Sequence, residues 1–183
     1  YADFDTFVAF DLETTGTNPR WDEIIEIGAI KVIGGTVKET AEFTFQEFVK
    51  PKKKKITEEI ERLTGISPDD VKPARQETEV LPDFMEFAGN EVLVGFNCIS
   101  FDSQFLKRAG RHSQTVIKNP YFDTMRYAGR FMERLGLGSN RVSLEKLSAQ
   151  LGIENPRAHR ALADAITTAK VFLKLKEMDD GTG

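Results

Sequence analysis

Four carboxylates and one histidine, carried by three widely separated segments, constrain this fold more than any other feature. Asp11 and Glu13 lie in FDLETTG, Asp102 in GFNCISFDSQFL, and His159 with Asp164 in HRALAD. A fold that draws these acids into one cleft gathers like charge, which is tolerable only if divalent cations neutralise it. Any architecture proposed for the chain therefore has to bring residue 11 and residue 164 together.

Composition sets the frame. With 183 residues, 40% hydrophobic and 30% charged, the chain suffices for one compact domain. We expect that domain to span residues 1–178, with 179–183 as a flexible tail. A net charge of −4 argues at first sight against a nucleic-acid partner. Cations held by the acids would reverse that inference locally. The lone Cys98 excludes an internal disulfide framework, and with no signal peptide or apolar membrane-length run the expected setting is cytoplasmic, with no membrane partner. A start at Tyr1 rather than Met suggests a trimmed chain or a domain cut from something longer.

Periodicity then orders the elements. Phe7 to Phe10 reads as a buried strand, and the run from Ile24 to Ile33, punctuated by Gly34-Gly35, as a hairpin arm. Alternating Phe43 and Phe45 complete a three-stranded antiparallel meander. Helical spacing follows: Ile56, Ile60 and Leu63 up to Gly65, then Val80, Leu81, Phe84 and Phe87 up to Gly89. Val92 to Val94 and Tyr121-Phe122 are short strands. Helices are expected from Phe101 to near Gly110, over residues 125–135, over 143–151 with Ser143 as N-cap, and in the apolar-faced last segment around Leu162, Ile166 and Phe172. Strands first, then alternation, then helices make an α/β layer arrangement.

The candidate residues have local logic. Asp11 and Glu13 are two apart on a strand, so both project to one face, and Thr14-Thr15-Gly16 opens into a loop where backbone can approach a substrate. Asp102 sits at a helix start, where the macrodipole favours a carboxylate; Asn97 in the preceding loop could orient a carboxylate or water, or simply satisfy local backbone. Asn155-Pro156 delays the last helix, leaving His159 in a loop or first turn with Asp164 on the helix proper. Imidazole ordinarily titrates near ~6.5, which suits taking a proton at neutral pH. His112, in GRHS, reads as structural.

These motifs together resemble the DEDDh-type 3′-to-5′ exonucleases, of the proofreading kind found with bacterial replicative DNA polymerase III. The likeness runs from about residue 6 to 175 through FDLETTG, EIIEIGAI, LTGIS, LVGFN with FD, YFDT, SLEKLSAQLGI and HRALADA. It implies a ribonuclease H-like fold: a five-stranded mixed sheet with an antiparallel second strand, flanked by helices. It also implies that Asp11, Glu13, Asp102 and Asp164 hold two Mg²⁺ or Mn²⁺ ions, with His159 as general base in hydrolysis to nucleoside 5′-monophosphates. Thr14, Thr15, Leu63 and Ile66 would border the terminal nucleotide. The second motif departs from the family's commonest form: Phe96 stands where a histidine is frequent, and the loop from Asn97 to Phe101 is one residue longer, which puts the role of Asn97 in question. Asp123 in YFDT resembles a structural position.

The expected partner is the 3′ end of single-stranded nucleic acid, DNA ahead of RNA, with a DNA polymerase as a possible protein partner. An exoribonuclease of the same superfamily and a non-cleaving interaction module are the alternatives. Lys52 to Lys55 reads either as a contact to nucleic-acid backbone or, more simply, as a solvated loop.

Overall fold

The computed structural model describes residues 2–138 and 141–181. Among them are the strands β1 (Phe7–Thr14), β2 (Ile24–Ile33), β3 (Thr36–Val37), β4 (Thr44–Phe48), β5 (Leu93–Gly95) and β6 (Tyr121–Asp123). The helices are α1 (Glu58–Thr64), α2 (Pro68–Val71), α3 (Glu77–Ala88), α4 (Asp102–Ser113), α5 (Thr124–Ala128), α6 (Leu144–Gln150) and α7 (Ala161–Asp180). Strand order is β3-β2-β1-β5-β6, and β4 also pairs with β2. β2 runs antiparallel to β1, while β5 and β6 are parallel additions.

The third arm of the expected meander is broken rather than continuous. β3 pairs with Val32 and Ile33, a 3₁₀ turn at Ala41–Phe43 follows, and β4 pairs with residues 26–30 of the same strand. Among the described residues, six strands thus fill five positions of the sheet.

Alternation along β1 sorts the two layers. Val8, Phe10 and Leu12 face α3 and α4, packing with Val80, Leu81, Phe84, Phe105 and Leu106. Phe7 and Ala9 face the α7 side, packing with Ala165, Ala169 and Phe172. Period-two geometry then puts Asp11 and Glu13 on the α7 face as well. The α7 layer is locked by aromatics around Phe172, whose ring lies 5.0–5.8 Å from Phe4, Phe7, Phe122 and Tyr127, contacts worth about 0.5–1.5 kcal/mol each beyond burial.

Three boundaries differ from the sequence expectation. The segment expected to be helical over 125–135 stops at Ala128, because the N–H groups of Gly129, Arg130 and Phe131 bond three residues back and tighten the chain into successive turns. α4 passes Gly110 and ends at Ser113. Gly110 instead permits close return of the chain, since a Cβ there would press on the Thr115 carbonyl. Residues 179 and 180, expected in a tail, complete α7, where Asp179 accepts from Tyr127 Oη at 3.0 Å and Arg130 Nη2 at 3.0 Å; the rest of that expected tail, 182–183, lies outside the described residues. No helix among the described residues is long and apolar enough to cross a membrane.

Candidate active site

The acids converge at the C-terminal end of β1. Cross-strand register pairs Asp11 with Gly28 and Glu13 with Glu26, with a bulge immediately after. At Gly28 a Cβ would overlap the backbone of Ala161 and Leu162, so glycine is what lets α7 settle on the sheet at this point. Fully buried Glu26 then receives Arg160 Nε at 3.2 Å, Arg160 Nη2 at 2.8 Å and the Ala161 N–H at 2.9 Å. This latch sets the start of α7 and, one turn on, Asp164.

One ligating oxygen from each of Asp11, Glu13 and Asp164 lies within 4.8 Å of the others. Asp102 enters from α4: buried to 4% exposure, it accepts the Leu12 N–H at 3.3 Å. Asp164 is oriented by Asn155 Nδ2 at 2.7 Å and by the His159 N–H at 3.1 Å. His159 makes the latter bond from a left-handed backbone, φ 69°, uncommon for a residue with a Cβ. Its ring Nε2 lies 2.7 Å from Glu145 Oε1, with 44% and 58% of the two side chains exposed.

Desolvation dominates the electrostatics. It holds Asp11 well above the usual carboxylate range, helped by repulsion from Asp102, Glu13 and Asp164. It pushes Glu13 up to about 9, with Asp164 and Glu26 adding to it and Arg160 opposing. Asp102 rises to about 7 through burial, against the pull of the backbone N–H groups. Asp164 is raised by burial too, opposed by Asn155 and His159. Acids in this state gain from any dication placed among them, and an all-carboxylate oxygen set is the donor chemistry of Mg²⁺ or Mn²⁺.

The remaining expected residues fall out unevenly. Thr14 and Thr15 are buried, their hydroxyls donated to the Gly16 carbonyl at 2.6 Å and to Asp22 Oδ1 at 3.1 Å, so neither hydroxyl is left to donate to a nucleotide. Leu63 is half-exposed at the end of α1. Ile66 is fully buried in a cluster with Ile25, Ile56 and Val71. Asn97 adopts a left-handed conformation, φ 59°. Its loop hangs on Asp123, which takes the N–H of Asn97 at 2.8 Å, Ile99 at 3.2 Å and Met125 at 3.1 Å, the structural role expected of that acid. Sequence reasoning missed Glu26, Arg160, Gly28, Asn155 and Glu145. For the first, the signal was present: a carboxylate in the middle of the apolar run IIEIGAI calls for a buried cation.

The exonuclease family model matches residues 8–172. The chain belongs to the exonuclease family. This exonuclease domain is 39% identical over 180 residues to the PolC-type DNA polymerase III of Clostridium perfringens, covering 96% of the chain and 12% of that protein. It is 34% identical over 173 residues to the DNA polymerase III subunit epsilon of Aquifex aeolicus, covering 94% of the chain and 81% of the subunit. The domain thus spans about an eighth of its PolC-type relatives and most of the epsilon subunit. Escherichia coli exonuclease I, in complex with a dA16 oligonucleotide, superposes with a TM-score of 0.81 at 20% identity over 97% of this chain and 42% of that one. That likeness is one of fold, and it agrees with the ribonuclease H-like expectation.

Proposed function

We propose that the domain is a metal-dependent 3′-to-5′ exonuclease that hydrolyses single-stranded DNA ends to nucleoside 5′-monophosphates, working beside a DNA polymerase. The observation that carries this reading is the set of desolvated carboxylates of Asp11, Glu13 and Asp164 within 4.8 Å of one another, with Asp102 buried alongside. Polymerase association rests on the PolC-type and epsilon relatives.

Asp11, Glu13, Asp102 and Asp164 would hold two Mg²⁺ or Mn²⁺ ions. Such ions offset the negative charge of acids and phosphate, acidify the attacking water and stabilise the departing 3′ oxygen. Asn155 and the His159 N–H keep the Asp164 carboxylate turned toward its neighbours. The His159 imidazole takes the proton of the attacking water. Its pair with Glu145 is exposed at both ends and so contributes no more than about 1 kcal/mol, too little to keep the ring from turning to the substrate. The backbone of Thr14 and Thr15 and the side chain of Leu63 border the terminal sugar and base. Asn97, whose buried Oδ1 has no hydrogen-bond partner among the described residues, retains acceptor capacity for a water there.

The test is digestion of 5′-labelled single-stranded DNA and a matched RNA with Mg²⁺ or Mn²⁺, beside Asp164→Ala. A ladder shortening from the 3′ end, absent in the variant, is expected, with DNA the faster substrate. Faster RNA degradation would make it an exoribonuclease; no shortening of either strand would leave a non-cleaving module.

A further inference from the structure

Trp21 is the chain's one tryptophan and is 53% exposed, yet the loop that displays it, residues 15–23, is tied down throughout. The Thr15 N–H closes the base of the loop on the Glu23 carbonyl at 2.9 Å. Asp22 Oδ2 takes the Asn18 N–H at 2.9 Å, and Arg108 Nη1 reaches from α4 to the carbonyls of Pro19 at 3.1 Å and Asp22 at 2.7 Å. An indole held out in water on a tied backbone is offered to a flat partner with little loop ordering left to be done on binding.

Pro19 and Arg20, the residues that precede Trp21, line a cleft of about 520 Å³ together with Gln104, Lys107, Arg108, Arg111 and His112, with no carboxylate among the lining residues. A neighbouring cleft of about 360 Å³ shares Arg108 and His112 and extends the cationic surface to Lys50, Lys52 and Lys53. Its two acids are already engaged. Glu23 accepts the N–H groups of Lys52, Lys53 and Lys54 at 2.7–2.8 Å, and Glu77 lies 3.3 Å from His112 Nδ1. In a chain of net charge −4, this concentration of cations focuses potential on one strip. α4 links the strip to the acids: Lys107 and Arg111 follow Asp102 on that helix by five and nine residues, roughly 8 and 14 Å further along its axis at ~1.5 Å per residue.

We propose that Trp21 and this cleft form a second nucleic-acid subsite, in which the indole stacks on a base and Arg20, Lys107 and Arg111 hold phosphates of the strand upstream of the scissile 3′ end. A cationic groove joined to an aromatic platform is how single strands are held without sequence preference. The inference rests on the single-stranded DNA reading above.

Because Trp21 is the lone tryptophan, its emission reports the subsite directly. In EDTA, where no cleavage occurs, 5′-fluorescein-dT16 should quench Trp21 saturably, with the midpoint that polarisation gives. Trp21→Ala should weaken dT16 binding by about 5- to 150-fold, the usual worth of one stacked base. Lys107→Glu/Arg111→Glu should lower the log–log salt slope by at least about 1.4, two phosphates at ~0.7 each. Both variants should cleave a dinucleotide at the wild-type rate in Mg²⁺. Binding of dT16 with unchanged Trp21 emission, or equal quenching by polyglutamate, overturns the subsite and assigns the surface to another ligand. Failure of the wild type to shorten dT16 in Mg²⁺ would instead overturn the exonuclease reading, a result the quenching experiment does not depend on.

Discussion

Replacing Asp102 by Asn should make the metal-free protein more stable at alkaline pH and less responsive to metal. Buried to 4% exposure, the Asp102 carboxyl is pushed from an ordinary 3.8 to about 7. Between those values the folded chain binds more protons than the unfolded one. Its contribution to stability is thus fully present below about 3.8 and is lost as pH rises through about 7. From about pH 5 to about pH 8 the loss comes to roughly 2–3 kcal/mol, at ~1.4 kcal/mol per pKa unit, or roughly 5–10 °C in Tm for a domain of this size. Asparagine keeps an acceptor for the Leu12 N–H but cannot ionise. The assay is thermal unfolding of both proteins in EDTA at the two pH values, then with millimolar Mg²⁺. Asp11, Glu13 and Asp164 remain in each, so the difference between the two curves isolates Asp102 and its coupling to them. Relative to wild type, Asp102→Asn should gain about 5 °C or more on going to the higher pH, and Mg²⁺ should reverse the order. Parallel pH curves within about 2 °C would refute the claim that burial of this carboxyl loads the metal-free fold.

Three further outcomes are expected. Gly28→Ala forces the start of α7 off the sheet, costing about 3 kcal/mol by overpacking; because it also shifts Asp164, turnover should fall by ~10²-fold, and a stable variant with full activity would show that the close approach is dispensable. Glu26→Ala strands Arg160, which keeps 30% exposure, so the loss in a urea melt should be ~3 kcal/mol, the low end for a broken buried pair, and Arg160→Ala added to it should cost little more. His159→Gln should reduce kcat by about 10²- to 10⁴-fold while leaving the Mg²⁺-induced rise in Tm in place; unchanged turnover would place the general base elsewhere.

The four acids and His159 were readable because each belongs to a short local pattern: a strand end, a helix start, a delayed helix. What holds them in place was not. The Glu26–Arg160 latch joins residues 134 apart, and no local period reports such a partner. The same applies to Gly28, whose purpose appears only once α7 lies across β2. The run after Thr124 has helical spacing, but packing of Tyr127, Phe131 and Met132 into the α7 layer is met by tighter turns, a tertiary override of local preference.

The seating of α7 on Gly28 also governs when the domain becomes competent. Three of the acids are made early or midway along the chain, while the fourth, with the helix covering Phe7 and Ala9, comes from its last fifth. Contacts of such long sequence separation form late in folding. A growing polypeptide that has emerged only through α6 therefore carries a half-covered sheet and three of the four acids, and the cluster is completed at the moment α7 docks.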